Sequence, residues 1–326
     1  MSRILSSIAL LGVAATLIGA IPASAQEAYP DKPVRLIVGR PPGGVADIAA
    51  RVLAQHLSAR WKQQVIVENR PGAGGVVALK ATLQYPSDGY TLLVAADSDF
   101  TINRFVLKAW QPSFDTDFVP VARFTFNPVV LIAHSKAPFN TVQELIAAAK
   151  ADPGGITFAT AGTASSPHLV GEYFALRTGT NLLHIPHKGG PAAATAAAGG
   201  HTQLAVLAVS STASLVHSGA VKVIGLSTKA RLKSLPDWPT IAEGGVPDFE
   251  ANIWTGLFAR ADTPAAVLTR IETDVRQLLA DPAVIKQFEE VGAEAAYLSG
   301  PELRTEIKKE SDRYGELVQR LKIAAD

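Results

Sequence analysis

Hydrophobic positions follow two different periods near the start of the main part of the chain. Val34–Val38 is a short apolar run rich in β-branched residues, which is typical of a buried strand. In Ala46–Arg60 the apolar residues are three or four positions apart, which predicts a helix with one buried face. Arg40 and the prolines and glycines at 41–44 separate the two segments. The pattern therefore predicts a strand, a turn and a helix in succession.

The same unit recurs along the chain. Because the predicted strands alternate with helices, they indicate an α/β fold with parallel pairing and helices on both faces of a sheet. The further predicted strands are Val65–Val67, Tyr90–Ala96, Pro128–Ala133, Ile156–Thr160, Leu204–Val209, Val221–Leu226 and Trp254–Ala259. The further predicted helices are Val76–Gln84, Thr141–Ala151, Ser166–Thr178, Pro191–Ala198, Pro264–Ala280 and Pro301–Leu321.

Two extended segments, Phe126–Ala133 and Ala251–Ala259, divide this series. They predict two lobes: residues 26–125 with 254–326 form the first, and residues 126–253 form the second. Two crossings without a low-complexity linker suit a hinge that closes on a ligand in the cleft between the lobes. A single large sheet is the alternative.

The N-terminal segment has the features of a signal peptide. Arg3 precedes the apolar stretch Ile4–Ile21, and Ala23-Ser24-Ala25 fits a small-residue cleavage site. We expect cleavage after Ala25, removal of residues 1–25 and export to the periplasm. An uncleaved membrane anchor is the alternative, since a largely apolar stretch of 18 residues lies at the lower edge of spanning length.

The amino-acid composition narrows the class of protein further. The chain has no cysteine, which excludes disulfides, thiol nucleophiles, Cys-ligated zinc and a lipid-modified N-terminal cysteine. Its formal net charge is +1 and becomes zero without residues 1–25, which carry one arginine and no acid. Such a balance without basic runs argues against nucleic acid as a partner. We expect a soluble monomer.

Three turns between predicted strands and helices share one composition. Pro41–Gly44, Pro71–Gly75 and Ala161–Ser166 are rich in small residues, and each opens a helix. Glycine lets a backbone approach a ligand closely, and a helix N-terminus offers unpaired N–H groups to an anion. The turns predict a cleft that binds an anion, unless they are ordinary connections of an α/β protein.

Motifs for cofactors and catalysis are incomplete. Gly72–Ala78 resembles a dinucleotide-binding turn, but Val77 takes the third glycine position and no acid closes the strand Tyr90–Ala96. The sequence has no phosphate-binding loop and no nucleophile elbow. We therefore expect no cofactor and no enzymatic activity, although a hydrolase or isomerase on a two-lobed scaffold stays an alternative.

Two pairs of residues, one histidine with glutamate and one of two histidines, have spacings that metal sites use. His168 and Glu172 are four residues apart on a predicted helix, and His184 and His187 are three apart. No His-Glu-x-x-His motif is present, and Pro186 interrupts the second pair. We favour a structural or ligand-lining role and expect no metal; a zinc receptor is the alternative.

Charged residues flank the first turn. Asp47 lies just inside the predicted helix, where it can complement the positive end of the helix dipole or contact the ligand. Arg40 ends the first strand, and its guanidinium can pair with a carboxylate through two hydrogen bonds, unless it is a solvated loop charge.

Across the whole chain that follows the predicted signal peptide, the sequence resembles the Bug-type periplasmic receptors of tripartite tricarboxylate transporters. The resemblance rests on many short motifs in order. They are Tyr29–Val38, Pro41–Asp47, Val67–Gly75, Ser87–Leu93, Ala161–Thr163 with His168-Leu169, His187–Ala192, Leu235–Glu243 and Thr263-Pro264. It implies an α/β, two-lobed, type II-like periplasmic binding protein, or Venus flytrap, with a mixed sheet flanked by helices in each lobe.

The resemblance also implies a function and a site. Family members hold a small carboxylate between the lobes and deliver it to a membrane permease of the tripartite tricarboxylate type; a sensor subunit is the alternative. Carried over to this chain, the resemblance and the position of the charges give the ligand-binding residues Arg40, Gly43, Gly44, Asp47, Asp97, Ser98, Gly162, Thr163, Ser165, Ser166, His187, Lys188 and Gly189.

Three departures from the family pattern bear on the ligand. Arg40 stands where the family usually has an aromatic residue, and His187 where tyrosine is common. The strand Gln203–Leu207 lacks both acids of the family pattern. Of these changes, one removes an acid from the expected cleft and one adds a base to it. They predict a ligand with more than one carboxylate, or with a carboxylate and an aromatic body.

Overall fold

The computed structural model describes residues 29–107, 112–291 and 293–324. The predicted signal peptide 1–25 and its cleavage site lie outside the described residues. Within the described part of the chain, no helix has both the length and the apolar character needed to cross a bilayer.

The elements follow one another in three groups along the chain. The first group is β1 (Val34–Val38), α1 (Val45–Trp61), β2 (Val65–Asn69), α2 (Val76–Leu83), β3 (Thr91–Ala96), α3 (Asp97–Thr101), α4 (Asn103–Val106), α5 (Phe114–Asp117) and β4 (Phe118–Asn127). The second is β5 (Val129–His134), α6 (Val142–Ala151), β6 (Thr157–Thr160), α7 (Ser166–Thr178), β7 (Leu183–Pro186), α8 (Gly190–Ala198), β8 (Leu204–Ala208), α9 (Ala213–His217) and β9 (Val221–Leu226). The third is β10 (Ile253–Arg260), α10 (Ala265–Leu278), α11 (Pro282–Glu290), β11 (Glu294–Ser299) and α12 (Gly300–Leu321).

The first and third groups build a six-stranded sheet in the order β11-β4-β10-β3-β1-β2. Strand β1 pairs in parallel with β2 and β3, whereas β10 runs antiparallel between β3 and β4. Leu53 of α1 and Phe288 of α11 are buried in the core on one face, and Phe100 and Phe258 in the core on the other. Each such side chain stabilises the fold by about 1.5–3 kcal/mol.

The second group builds a five-stranded sheet in the order β7-β6-β8-β5-β9. Leu145 of α6 and Phe174 of α7 are buried in the core on one face. On the other face the small side chains of Ala193 and Ala197 allow α8 to pack closely against the sheet. Both sheets are therefore mixed and covered by helices on both faces, as the predicted fold class requires.

The chain passes between the sheets at two neighbouring places. Pro128 alone separates β4 from β5, and the segment 227–252 leads from β9 back to β10. Ser227 joins the two passages, because its Oγ accepts a hydrogen bond from the backbone N–H of Val129 (3.2 Å) and donates one to Asn252 Oδ1 (2.9 Å). The single large sheet is excluded, and the lobe boundaries at 125/126 and 253/254 stay a prediction.

The structure corrects two sequence-based expectations. The alternation of strands and helices predicts parallel pairing, but β4, β5, β9, β10 and β11 have only antiparallel partners, so the mixed sheets implied by the family resemblance are confirmed instead. Strand β10 enters its sheet directly from the second group, without a crossover helix that would reverse its direction. The sequence predicts no element between the helices Pro264–Ala280 and Pro301–Leu321, but the structure has the helix α11 and the strand β11 there.

Candidate functional site

A cavity of about 570 Å³ lies where the carboxyl ends of β1 and β3 face the beginning of α7. Its size is that of a small-molecule pocket. All three groups of elements contribute to its wall. The lining residues are Arg40, Pro41, Gly44, Val45, Ala46, Ala73, Gly74, Ala96, Asp97, Ser98, Asn103, Leu107, Asn127, Thr163, Ala164, Ser165, Ser166, Pro167, Ile253 and Thr255.

Two helix N-termini from the two lobes open on this cavity. The beginning of α1 contributes Gly44, Val45 and Ala46, and the beginning of α7 contributes Ser165 and Ser166. The first backbone N–H groups of a helix have no acceptor within the helix, and this end of the helix dipole is positive. The two ends together form a site suited to a carboxylate.

Asp47 fixes the turn that leads into α1. Its carboxylate accepts hydrogen bonds from the Gly43 backbone N–H (2.8 Å), Arg51 Nε (3.1 Å) and Asn69 Nδ2 (2.7 Å). Burial raises the pKa of Asp47, but these hydrogen bonds outweigh burial and the pKa is lowered overall. Neither Asp47 nor Gly43 lines the cavity, so in this structure the carboxylate shapes the turn from behind.

Arg40 lines the cavity and is paired with an acid that the sequence analysis missed. Its Nη2 donates to Asp99 Oδ1 (2.6 Å) and Ser98 Oγ (3.2 Å), and its Nη1 donates to the carbonyl of Gly39 (3.2 Å). Asp99 is buried, which raises its pKa, and it is chiefly this carboxylate that raises the pKa of Arg40. The expected gain of positive charge in the cleft is thus offset by Asp99. The Nε–H and one Nη1–H of Arg40 have no hydrogen-bond partner among the described residues.

Asp97 is a second buried acid at the cavity wall. Neither of its carboxyl oxygens forms a hydrogen bond within the described residues. Burial raises the pKa of Asp97 to about 7, and the negative charge of Asp99 adds to this effect. The nearby Ser166 hydroxyl and Ser98 backbone N–H favour the charged form and act in the opposite direction. Burial and the nearby Asp97 likewise raise the pKa of Glu310 on α12 to about 8. Burial thus favours the neutral, protonated form of both acids more than it would be favoured in an exposed carboxyl group.

The turn before α7 is fixed from within its own helix. His168 Nδ1 accepts a hydrogen bond from the Ala164 backbone N–H (3.0 Å), and Ser165 Oγ donates to the carbonyl of Gly162 (2.7 Å). Ala164 adopts a left-handed backbone with φ of +58°, and Gly162 has φ of +138°. Thr163, Ala164, Ser165 and Ser166 line the cavity.

The other predicted contacts of the second lobe lie behind this turn. Gly162, His187, Lys188 and Gly189 do not line the cavity. The backbone N–H of His187 donates to the carbonyl of Thr160, and that of Gly189 donates to the carbonyl of Ala161. In this structure the segment 187–189 therefore supports the turn.

Several cavity residues were absent from the predicted set. Ala73 and Gly74 belong to the Pro71–Gly75 turn. The composition of this turn predicts a binding role, but neither residue is in the predicted ligand-binding set. Asn103 and Asn127 also line the cavity, and Asn103 Nδ2 donates to the carbonyl of Gly74 (2.6 Å). Within the described part of the chain, no group of three or more histidine, cysteine, aspartate or glutamate residues is placed to hold a metal ion.

Two mixed sheets, two chain passages and a cavity between helix N-termini define a periplasmic binding protein. The sequence model of the tripartite tricarboxylate transporter family receptors matches residues 49–323. The chain belongs to this family. It is therefore a solute-binding receptor of the Bug type, and receptors of this class are not enzymes.

Relatives with known names or structures agree with this assignment. BugT of Bordetella pertussis is 32% identical over 320 residues, which are 98% of this chain and 97% of BugT. A Rhodopseudomonas palustris protein solved with adipate is 28% identical with a TM-score of 0.78, over 91% of this chain and 99% of that one. MatC of Rhodopseudomonas palustris, solved with bound malate, is 25% identical with a TM-score of 0.72, over 89% of this chain and 100% of MatC.

Proposed function

We propose that this receptor captures a small dicarboxylate, aliphatic or aromatic, and delivers it to a membrane permease of the tripartite tricarboxylate type. The observation that carries the proposal is the convergence of the α1 and α7 N-termini on one cavity. One ligand carboxylate binds between these N-termini, next to Gly44, Thr163 and the Ser165–Ser166 hydroxyls. The ligand site thereby draws on both lobes.

The second carboxylate of the ligand pairs with Arg40. Although Asp99 and Ser98 occupy Nη2, the Nε–H and one Nη1–H of the guanidinium are unpaired within the described residues, and the side chain is 27% exposed. Val45, Leu107 and Ile253 add apolar wall for the body of the ligand. Two relatives with dicarboxylates, adipate and malate, support this choice.

A thermal-shift screen with paired acids tests the proposal. Adipate and hexanoate have the same chain length but two and one carboxylates, and the same comparison applies to phthalate and benzoate. A binder present at 100 times its dissociation constant adds about 2.7 kcal/mol of stability. We expect the diacids to raise the melting temperature more than the monoacids. A screen in which amino acids or metals stabilise the protein and no carboxylate does would refute the proposal.

Arg40 variants locate the second carboxylate. Arg40→Ala should weaken diacid binding by about 1.5–3 kcal/mol, the value of a charge-assisted hydrogen bond, and leave monoacid binding nearly unchanged. The double variant Arg40→Ala/Asp99→Asn is the control, because it also removes the acid that Arg40 neutralises. Unchanged diacid affinity in both variants, measured by calorimetry, would place the second carboxylate elsewhere.

Delivery and export require experiments in cells. Deletion of this receptor should abolish uptake of the ligand by the cognate permease, and release of chemically altered ligand from the purified protein would contradict a receptor role. N-terminal sequencing of the protein from a periplasmic fraction should begin at Gln26 if the predicted signal peptide is cleaved after Ala25.

A further inference from the structure

We propose that His168 is a positioning residue that holds the turn before α7 in its ligand-binding conformation, and that protonation of its Nδ1 loosens this turn and releases the ligand. The first half concerns the protein alone, and the second rests on the proposed function. His168 does not line the cavity, so it acts through the backbone of Ala164, which does.

The hydrogen bond from Ala164 determines the state of the ring. A backbone N–H is always a donor, so His168 Nδ1, at 3.0 Å from the Ala164 nitrogen, must be unprotonated. The neutral ring then carries its proton on Nε2, which lies 3.4 Å from Glu172 Oε1. Protonation of Nδ1 would place two donors opposite each other at this position.

The backbone at Ala164 makes this acceptor important. Its φ of +58° lies in the left-handed region, where the Cβ of an L-residue approaches the following carbonyl oxygen. Ala164 is also buried, so loss of the acceptor would leave an N–H with no partner. The strained and buried turn therefore depends on His168 for one of its hydrogen bonds.

A second imidazole holds the first in place. The rings of His168 and His184 are stacked, with centroids 3.7 Å apart and an angle of 13° between their planes. His184 Nε2 in turn hydrogen-bonds Thr160 Oγ1 (2.7 Å), and this hydroxyl also donates to the carbonyl of Gly162. The stack thus connects His168 to both ends of the turn.

The charges around His168 determine how the turn responds to acid. Glu172 on α7 faces Nε2, His184 on β7 covers the ring, and His187 follows on the next turn. Burial lowers the pKa of His184 to about 3, and His168 and His187 add to this effect. Protonation of Nδ1 of His168 would convert the acceptor for the Ala164 N–H into a donor.

Ligand-free protein provides the direct test of the positioning role. Solution NMR with ¹⁵N-labelled histidine should show Nδ1 of His168 as the unprotonated nitrogen at pH 7.5. The hydrogen-exchange protection factor of the Ala164 amide should fall about tenfold between pH 7.5 and 5.0, the effect of one lost buried hydrogen bond. A neutral ring protonated on Nδ1, or a protection factor that does not change with pH, would overturn the proposal.

Two substitutions of His168 distinguish an effect of its protonation from an effect of its hydrogen bond alone. His168→Asn places an amide oxygen near the position of Nδ1 and cannot be protonated in this range, so it should keep Ala164 protected at both pH values. His168→Leu has no acceptor and should lower the protection about tenfold at both. The proposal is wrong if His168→Asn retains the wild-type pH dependence or if His168→Leu retains full protection.

Calorimetry with adipate then tests the link to the ligand. For the wild type, the dissociation constant should rise about tenfold from pH 7.5 to 5.0, and for His168→Asn it should stay within about twofold. Equal pH dependence in both proteins would overturn the ligand-release step. If adipate and the other screened carboxylates fail to bind while Ala164 protection behaves as expected, it is the proposed function that fails and the positioning role that stands.

Discussion

The turns that open α1 and α7 have the same construction but different chemistry. In each, the third residue of the helix accepts a hydrogen bond from a backbone N–H four residues earlier: Asp47 from Gly43, and His168 from Ala164. Asp47 is an anion whose pKa is lowered overall, and it has further donors in Arg51 and Asn69. His168 accepts through a neutral ring nitrogen, and protonation of that nitrogen would remove the acceptor.

The proposal therefore gives the cleft two unlike halves. The hydrogen bond that holds the α1 turn persists in mild acid, whereas the one that holds the α7 turn is lost when His168 is protonated. A carboxylate in the first turn of a helix also complements the positive end of the dipole, whereas an imidazolium there opposes it. Acid should therefore disturb the α7 turn while the α1 turn is still intact. The predictions below test this division of roles.

Asp47→Ala should have the largest effect. It removes three hydrogen bonds, leaves the Gly43 N–H without its acceptor and leaves the Asn69 amide only its bond to the carbonyl of Arg40, so the free energy of unfolding should fall by about 3 kcal/mol. Because the folded pKa of Asp47 is lowered, its contribution is complete above the ordinary aspartate pKa and is lost only as the pH falls through the lowered value. Urea titrations at pH 8 and 5 should thus give the same difference between wild type and variant.

A control variant separates charge from shape in this turn. Asp47→Asn keeps one carbonyl oxygen and should lose less stability than Asp47→Ala. If the destabilisation by Asp47→Ala shrank markedly between pH 8 and 5, the α1 turn would be titratable too, and the proposed contrast between the turns would be wrong.

Asp97 lies between the two turns and should have the next largest effect. Its folded pKa of about 7 exceeds the unfolded value, so the folded state binds the proton more tightly and stability decreases as the pH rises from about 4 to 7. Asp97→Asn has no such charge to bury and should flatten this dependence by about 2–3 kcal/mol. Urea titrations at pH 4.5 and 8 measure the difference, and an unchanged slope would show that another group, such as Glu310, dominates.

The fold was largely accessible from the sequence because its signals are local. The strand Val34–Val38 was predicted with its exact bounds, and helix α1 was predicted within one residue at each end. Strand β11 was missed because all of its residues are half-buried, so no alternation of polar and apolar residues marks it. Strand β4 was missed in part because Pro120 and Arg123 interrupt its apolar run.

The site was less accessible because its decisive contacts are not local. The pairing of Arg40 with Asp99 joins the ends of two neighbouring strands, 59 positions apart in the sequence, and no periodicity reports it. The stack of His168 on His184 likewise depends on the position of β7 beside β6. Glycine-rich turns predicted where a ligand can approach, but not which side chains fix those turns from behind.

His184→Phe should have a smaller effect and tests the α7 half of the comparison. The folded pKa of His184 is about 3, below its unfolded value near 6.5, so the unfolded state gains the proton and stability falls as the pH drops below about 6.5. Phenylalanine keeps a stacked ring but cannot titrate. The loss of stability between pH 7.5 and 5 should therefore be smaller in the variant, by about 1 kcal/mol for this partly exposed ring. An identical loss in both proteins would assign the acid sensitivity to other groups.

Arg51→Ala should have the smallest effect and shows which partner of Asp47 matters. Arg51 is half exposed, so solvent partly screens its pairing with the buried Asp47 one helical turn away, and loss of the pair should cost less than about 1 kcal/mol. Asn69→Ala removes the more buried donor and should cost about 1–2 kcal/mol in the same denaturation assay. If Arg51→Ala proved the more destabilising of the two, the α1 turn would be held by the surface ion pair. Salt would then loosen that turn, and the cleft would have one turn sensitive to ionic strength and one sensitive to acid.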